Sequence, residues 1–301
     1  MLEPDDFRQE GLYATRIAFY LLWMEFLVVS PSYAMAHRRR TDQFTEADRA
    51  RQPEDFDEVL AVYDDLGDVS TIRFIDWWRD RALKVFGYEG AKPKVRRIDI
   101  LLPERHRKAG HRVRDFINSD WEQQGQPGSA LVSVPLGLPK TKLLRQLDRL
   151  ISKQKPEWKQ LNPPKAKYPL LGKRLRKDAL FRYLSVVWMR SEMRDQPLWR
   201  VGARAKISDK AGIDLDHMAR MPPGENVDER NVMASLTSRA FRRGIALAEN
   251  AARGKFPVNE ISEHAIMPDG NELKAIHDRV ARRRISLKKH AIDAENTKDA
   301  T

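Results

Sequence analysis

The chain has 301 residues, 41 % of them hydrophobic and 33 % charged, and it contains no cysteine. That length admits two or three compact domains, and the missing cysteine excludes a disulfide framework, a thiolate zinc site and a cysteine nucleophile. The net charge of +12 is unevenly placed: residues 1–60 hold seven Lys and Arg against twelve Asp and Glu, whereas residues 141–200 hold sixteen against five. A basic stripe beside a neutral or acidic body is the electrostatic footprint of a polyanion binder.

The longest apolar run, IAFYLLWMEFLVV at 17–29, contains Glu25 and falls short of the roughly 20 apolar residues a span needs. Acidic residues precede it and Arg38-Arg39-Arg40 follows, the reverse of a signal peptide. It reads as a buried core helix, with no membrane role. Pro31 marks its stop. A second helix is expected from Pro53 to Leu66 with Phe56, Val59, Leu60 and Tyr63 on its inner face. A third starts from a cap at Ser70 or Thr71, buries Ile75, Trp78, Ala82, Val85 and Phe86, and stops at Gly87. Asp55, Asp57, Glu58, Asp64, Asp65 and Asp68 read as a solvated face rather than hard-metal ligands. Residues 1–91 thus form an N-terminal helical module suited to packing or partner binding.

From 92 to 155 the pattern predicts a small α/β subdomain. VRRIDILL (95–102) and ALVSVPL (130–136) carry the short, β-branched signature of strands. The basic helical segment ERHRKAGHRVRDFIN lies between them. The second strand leads through Pro139 into a helix with Leu143, Leu144, Leu147 and Leu150 inward. Neither strand ends in a Gly-rich phosphate loop, so no cofactor is expected. Residues 156–172 form a basic, Pro-rich linker. Lys165 and Lys167, followed by Lys173, Arg174, Arg176 and Lys177, are candidate phosphate contacts, with a merely solvated tether as the alternative.

Residues 173–256 have a helix-turn-helix rhythm: a helix burying Leu180, Tyr183, Leu184, Val187 and Trp188, a short one opened by Pro197, and a long one from about Asp228. Gly202, in the short helix, would allow close approach to its neighbour. In projection the long helix has a small-residue stripe of Thr237, Phe241, Ile245, Ala248 and Ala252. Opposite it lie Ser235, Arg239, Arg242, Arg243 and Arg253. Arginine forks match guanine edges and phosphates, and a helix fits the major groove. The segment of about twenty residues before this helix exceeds the 3–4 residues of a standard turn. Residues 257–301 are a C-terminal extension whose basic tail, RRRISLKKH, either adds phosphate contacts or frays.

YLLWMEFLVVSPSYAMA, WRVGARAKI and SRAFRRGIALAENAARGKFP together resemble a poorly characterised group of bacterial transcriptional-regulator-like proteins with a helix-turn-helix toward the end. The resemblance implies DNA binding in regulation or mobile-element biology and carries over no catalytic residue.

Catalytic constellations are weak. Asp214, Asp216 and His217 are the best local metal candidates, but such a group is more often a polar loop. An E-x-K nuclease pattern, Asp148 with Glu157 and Lys159, lies off any strand. Ser235, Thr237 and Ser238 lack a nearby base. The expected protein is α+β and mainly α-helical, with the small α/β subdomain between the N-terminal module and a C-terminal helix-turn-helix-like domain. It is expected in the cytoplasm, without metal, binding double-stranded DNA of selected sequence in preference to RNA. It would pair with itself or a protein partner through the acidic module. A subunit of a ribonucleoprotein or defence assembly is the alternative, and a metal-dependent nuclease the third reading.

Overall fold

The computed structural model describes residues 12–89, 95–104, 106–122, 128–153, 166–172, 176–208, 210, 212, 215–218, 220 and 224–299. Among the described residues it is mainly helical, 62 % helix against 2 % strand, with one small two-stranded sheet. The chain divides into two units, a larger one containing Ala14–Gly87 and Ala166–Thr301 and a smaller one of Gln9–Tyr13 and Tyr88–Lys165.

The larger unit is assembled from both ends of the sequence. Helix α1 (Ile17–Val29) is apolar on nearly every side, and a helix of that kind must be enclosed. Tyr20, Trp23, Met24, Phe26, Leu27 and Val29 are accordingly buried. Among the described residues no single helix is long and apolar enough to cross a membrane. Pro31 ends α1 as expected, but it also starts α2 (Pro31–Arg40) after a bend of 74°. Ser30 is extended there and caps α2, its Oγ accepting from the Tyr33 N–H at 3.1 Å. Helix α3 (Glu46–Ala50) has a Thr45/Asp48 capping box. Helix α4 (Phe56–Leu66) buries Phe56, Val59, Val62, Tyr63 and Leu66, with Leu60 at its half-buried margin.

The third expected helix starts later, at Phe74, and is not regular. Helix α5 (Phe74–Trp77) runs through a π-helical turn, Trp78–Ala82, into α6 (Leu83–Phe86). A π turn adds a residue to the repeat and rotates the succeeding helical turn about the axis. Trp77 and Leu83 therefore enter the core beside Trp78, Ala82 and Phe86, and Ile75 and Val85 are only half-buried.

In the smaller unit the expected α/β layout does not form. Its sheet pairs β1 (Leu12–Tyr13) with β2 (Tyr88–Glu89), antiparallel, with Tyr13 and Tyr88 stacked at 5.4 Å. Residues 95–102 and 130–136 belong to no helix and no ladder. Strand propensity reports fit to a half-buried pleated surface, and no described side chain between 95 and 153 is buried. The helical parts are α7 (Ala109–Asp115), continued by a π-helical segment to Trp121, and α8 (Lys140–Lys153). Surface ion pairs, Arg96–Asp120 at 2.9 Å and Arg112–Asp99 at 2.5 Å, tie the unit together.

The chain re-enters the larger unit at Ala166, which is buried. The Lys167 N–H donates to the Val85 carbonyl at 3.0 Å and the Leu171 N–H to the Phe256 carbonyl at 2.8 Å. This part of the supposed linker is docked, not a tether. Helices α9 (Lys177–Glu192), α10 (Leu198–Arg204) and α11 (Val227–Ala251) come next, then α12 (Gly270–Asp299). In α9, Leu180, Leu184, Val186 and Val187 are buried, and Tyr183 and Trp188 are half-buried.

Close approach between α10 and α11 depends on Gly202, where an added Cβ would collide with Thr237 Oγ1 and crowd the Met233 side chain. The long 205–226 connection adds Ile207 and Leu215 to the cluster of Val186, Trp199 and Met233. The basic tail does not fray within the described residues. It belongs to α12, where Leu273, Ile276 and Val280 are buried and the Arg279 Nε donates to the Val28 carbonyl at 3.0 Å. Arg283 meets Glu25 at 2.8 Å and donates to the carbonyls of Val69 and Ile72.

Candidate nucleic-acid interface

Helix α11 has two halves with different surroundings. From Gly244 to its end every residue is buried. Before Gly244 one side packs inward through Met233, Thr237 and Ala240, and Ser235, Arg239, Arg242 and Arg243 are exposed. The exposed four fall within about 100° of arc at 100° per residue. Burial of the second half anchors the first, so the arginines stand on a fixed element.

Arg253 must be removed from that set. It lies past the end of α11, its side chain is 1 % exposed, and every nitrogen has a partner. Its Nε and Nη2 bind Asp55 at 2.7 and 2.9 Å, Nη2 also reaches the His264 carbonyl, and Nη1 reaches both the carbonyl and the carboxylate of Glu249. Burial opposes its charge, but Asp55 and Glu249 outweigh that and hold the guanidinium above its ordinary range. The projection assigned Arg253 by angle alone, and angle stops predicting exposure where a helix is enclosed on all sides.

Arg243 links this face to α9. Its Nη1 donates to Tyr183 Oη at 3.1 Å, and its guanidinium lies 5.8 Å from the ring centre. Tyr183, Arg176, Lys177, Asp178, Ala179 and Arg182 line an open depression of about 510 Å³ at the start of α9. Arg176 and Lys177 therefore share a basic surface with α11. Arg182 and Tyr183 were not foreseen as site residues. Arg182 was legible, because it projects away from Leu180 and Leu184, whereas the Tyr183–Arg243 contact spans sixty residues and left no local mark. Lys167 is committed elsewhere, 2.6 Å from Asp65. Lys165, Lys173 and Arg174 lie outside the described residues.

Around the buried end of α11 a polar cluster joins two of the three motifs that carried the resemblance. Glu249 receives Ser30 Oγ at 2.7 Å, Ser32 Oγ at 2.5 Å, the Ser32 N–H at 3.1 Å, the Ile266 N–H at 3.0 Å and Arg253 at 3.2 Å. The Trp23 indole donates to the Ala251 carbonyl at 3.1 Å, and Phe256 packs on Trp23 at 5.1 Å. Asn250 holds the carbonyls of Val258 and Glu260. The SPSY and AENAARGKFP stretches thus complete one another's hydrogen bonds, as buried polar groups must.

Of the acidic residues of the N-terminal helices, Asp57, Glu58, Asp64 and Asp68 are exposed, as a solvated face requires, and four of the six also form ion pairs. Asp55 meets Arg253, Asp64 meets Arg40 at 2.6 Å, Asp65 meets Lys167 and Tyr168, and Glu58 lies 3.4 Å from Lys255. Around the metal candidates, His217 Nδ1 is 3.9 Å from Asp216. Asp214, Glu157 and Lys159 lie outside the described residues, and among those described no three metal-ligating side chains gather.

Fold and surface together define a mainly helical protein with an arginine-bearing helix face continuous with a basic depression. No protein-family model, curated protein or solved structure matches the chain.

Proposed function

We propose that this protein binds nucleic acid, double-stranded DNA of selected sequence above all, through the exposed half of α11. The observation that carries the reading is the joint exposure of Arg239, Arg242 and Arg243 on a helix whose other half is locked into the core. Arginine on a rigid helix can present bidentate donors to guanine edges in the major groove, and Arg176, Lys177 and Arg182 beside it supply sequence-independent phosphate contacts. A role in transcription regulation or mobile-element biology follows from the motif resemblance.

A second reading makes this surface the RNA- or protein-docking face of a ribonucleoprotein or defence assembly. It is favoured by the 205–226 connection, which greatly exceeds the turn of a standard helix-turn-helix.

The test compares wild type with an R239A/R242A/R243A variant on genomic duplex fragments, random duplex and single-stranded RNA across a salt series. Loss of duplex selectivity with retained background binding supports groove reading. Each lost phosphate contact should reduce the slope of log K against log salt by about 0.9. Unchanged binding to every ligand eliminates α11 as the interface. Preference for RNA by wild type favours the assembly reading.

A further inference from the structure

Helix α8 in the smaller unit is amphipathic. At 100° per residue, Leu143, Leu144, Leu147, Leu150 and Ile151 share an arc of about 120°, and Lys142, Arg145 and Arg149 lie opposite. Such an arc in a soluble domain normally faces a core. Here Leu144 is 53 %, Leu150 37 % and Ile151 45 % exposed. The same unit exposes Leu131, Val132, Val134 and Leu136, and between residues 88 and 165 it holds seventeen Lys and Arg against eight Asp and Glu.

A partner for this unit has to offer negative charge and apolar cover together. A nucleic-acid backbone offers only the first. A second copy of the chain offers the second but adds an equal positive charge. A protein groove fits one helical ridge, whereas the exposed side chains here lie on a helix and on a segment outside any helix or strand. An anionic phospholipid surface meets both demands. A helix lying in the interface buries its apolar face about 5–10 Å deep and keeps its cationic face among the headgroups. Backbone outside helices and ladders keeps its hydrogen bonds to water at that wet level.

We propose that the 88–165 unit docks on an anionic membrane surface through α8, as a peripheral contact and not a span. This is independent of the nucleic-acid reading.

The full-length chain, freed of nucleic acid by nuclease and salt, is floated with vesicles of phosphatidylcholine alone and with roughly one third phosphatidylglycerol. Because the chain has no cysteine, I151C and R145C each accept a single environment-sensitive fluorophore. Flotation with the anionic vesicles only is expected, with a larger blue shift at position 151 than at 145. L144E/L150E, at exposed positions, should keep the wild-type circular dichroism and lose about ten-fold or more in vesicle affinity. Three results overturn the proposal. One is no flotation with anionic vesicles. Another is flotation that L144E/L150E leaves unchanged, which would mean charge alone binds. The third is a blue shift at 151 that rises with protein concentration without lipid, which would mean a second copy covers the helix.

Discussion

At the scale of single residues, Glu249 and Arg253 do the most to join the two halves of the sequence. A buried carboxylate is tolerable only when its lone pairs are occupied and its charge is matched. Glu249 has five donors and Arg253 two carboxylates, so removing either member leaves the other charged and short of a partner. Glu249→Ala is expected to cost about 3–5 kcal/mol, read as a lower denaturant midpoint. A loss below about 1 kcal/mol would show that water enters and replaces the carboxylate.

Asp55 adds a pH dependence. Burial works to raise its carboxyl, but the hydrogen bonds and charge of Arg253 prevail and hold it below the ordinary carboxylate range. A carboxyl more acidic when folded than when unfolded stabilises fully above its unfolded value, about 3.9. That contribution is lost as pH falls through the depressed folded value. Asp55→Asn should therefore lower stability at neutral pH and flatten the decline below about pH 4. Denaturant titrations at several pH values check this, and parallel wild-type and variant curves would contradict it.

At the scale of elements, α11 shows how one helix serves two environments. Its second half is closed in by α9 at Gly244, against Tyr183 and Val187, and by α1 at Ala251, under Trp23. Its first half carries polar side chains outward. The α10–α11 contact depends on the missing side chain at Gly202, opposite Thr237 and Met233. Gly202→Ala should destabilise by about 1–3 kcal/mol through overpacking, and Thr237→Ala in the same chain should restore part of the loss. The thermal midpoints of the single and double variants decide it, and strictly additive losses would mean the two positions do not meet. The π turn at Trp78–Ala82 is a second device at this scale. It begins at Trp78, where Trp77 and Trp78 are both buried.

At the scale of the whole molecule, the smaller unit is, apart from Gln9–Tyr13, an insertion in the chain of the larger one. Residues 14–87 and 166–301 share a core, and the Lys167–Val85 hydrogen bond brings the insertion's two ends together. Replacing 88–165 by a short Gly-Ser linker should leave a cooperatively folding larger unit, since loop-closure cost changes slowly with length. Its circular dichroism and denaturant transition test this. An unfolded product would show that the larger unit requires the insertion. The charge asymmetry of the sequence is also partly cancelled at this scale, because N-terminal carboxylates meet Arg253, Lys167 and Lys255 from distant parts of the chain.

Local pattern alone determined that the chain is mainly helical, that 17–29 is enclosed, that Pro31 and Gly87 end helices, and that Arg239, Arg242 and Arg243 face away from the apolar stripe of α11. Those features depend on periodicity, proline geometry and apolar content, all carried by neighbouring residues. Only the tertiary structure decided that 95–102 and 130–136 stay unpaired, since a strand needs a second strand to satisfy its backbone. It alone showed that Asp55, Glu58, Asp64 and Asp65 have ion-pair partners, that the basic tail is a docked helix, and that Arg253 is a core residue. Most of these contacts reach a partner more than a hundred residues away, and side-chain chemistry does not announce so distant a partner.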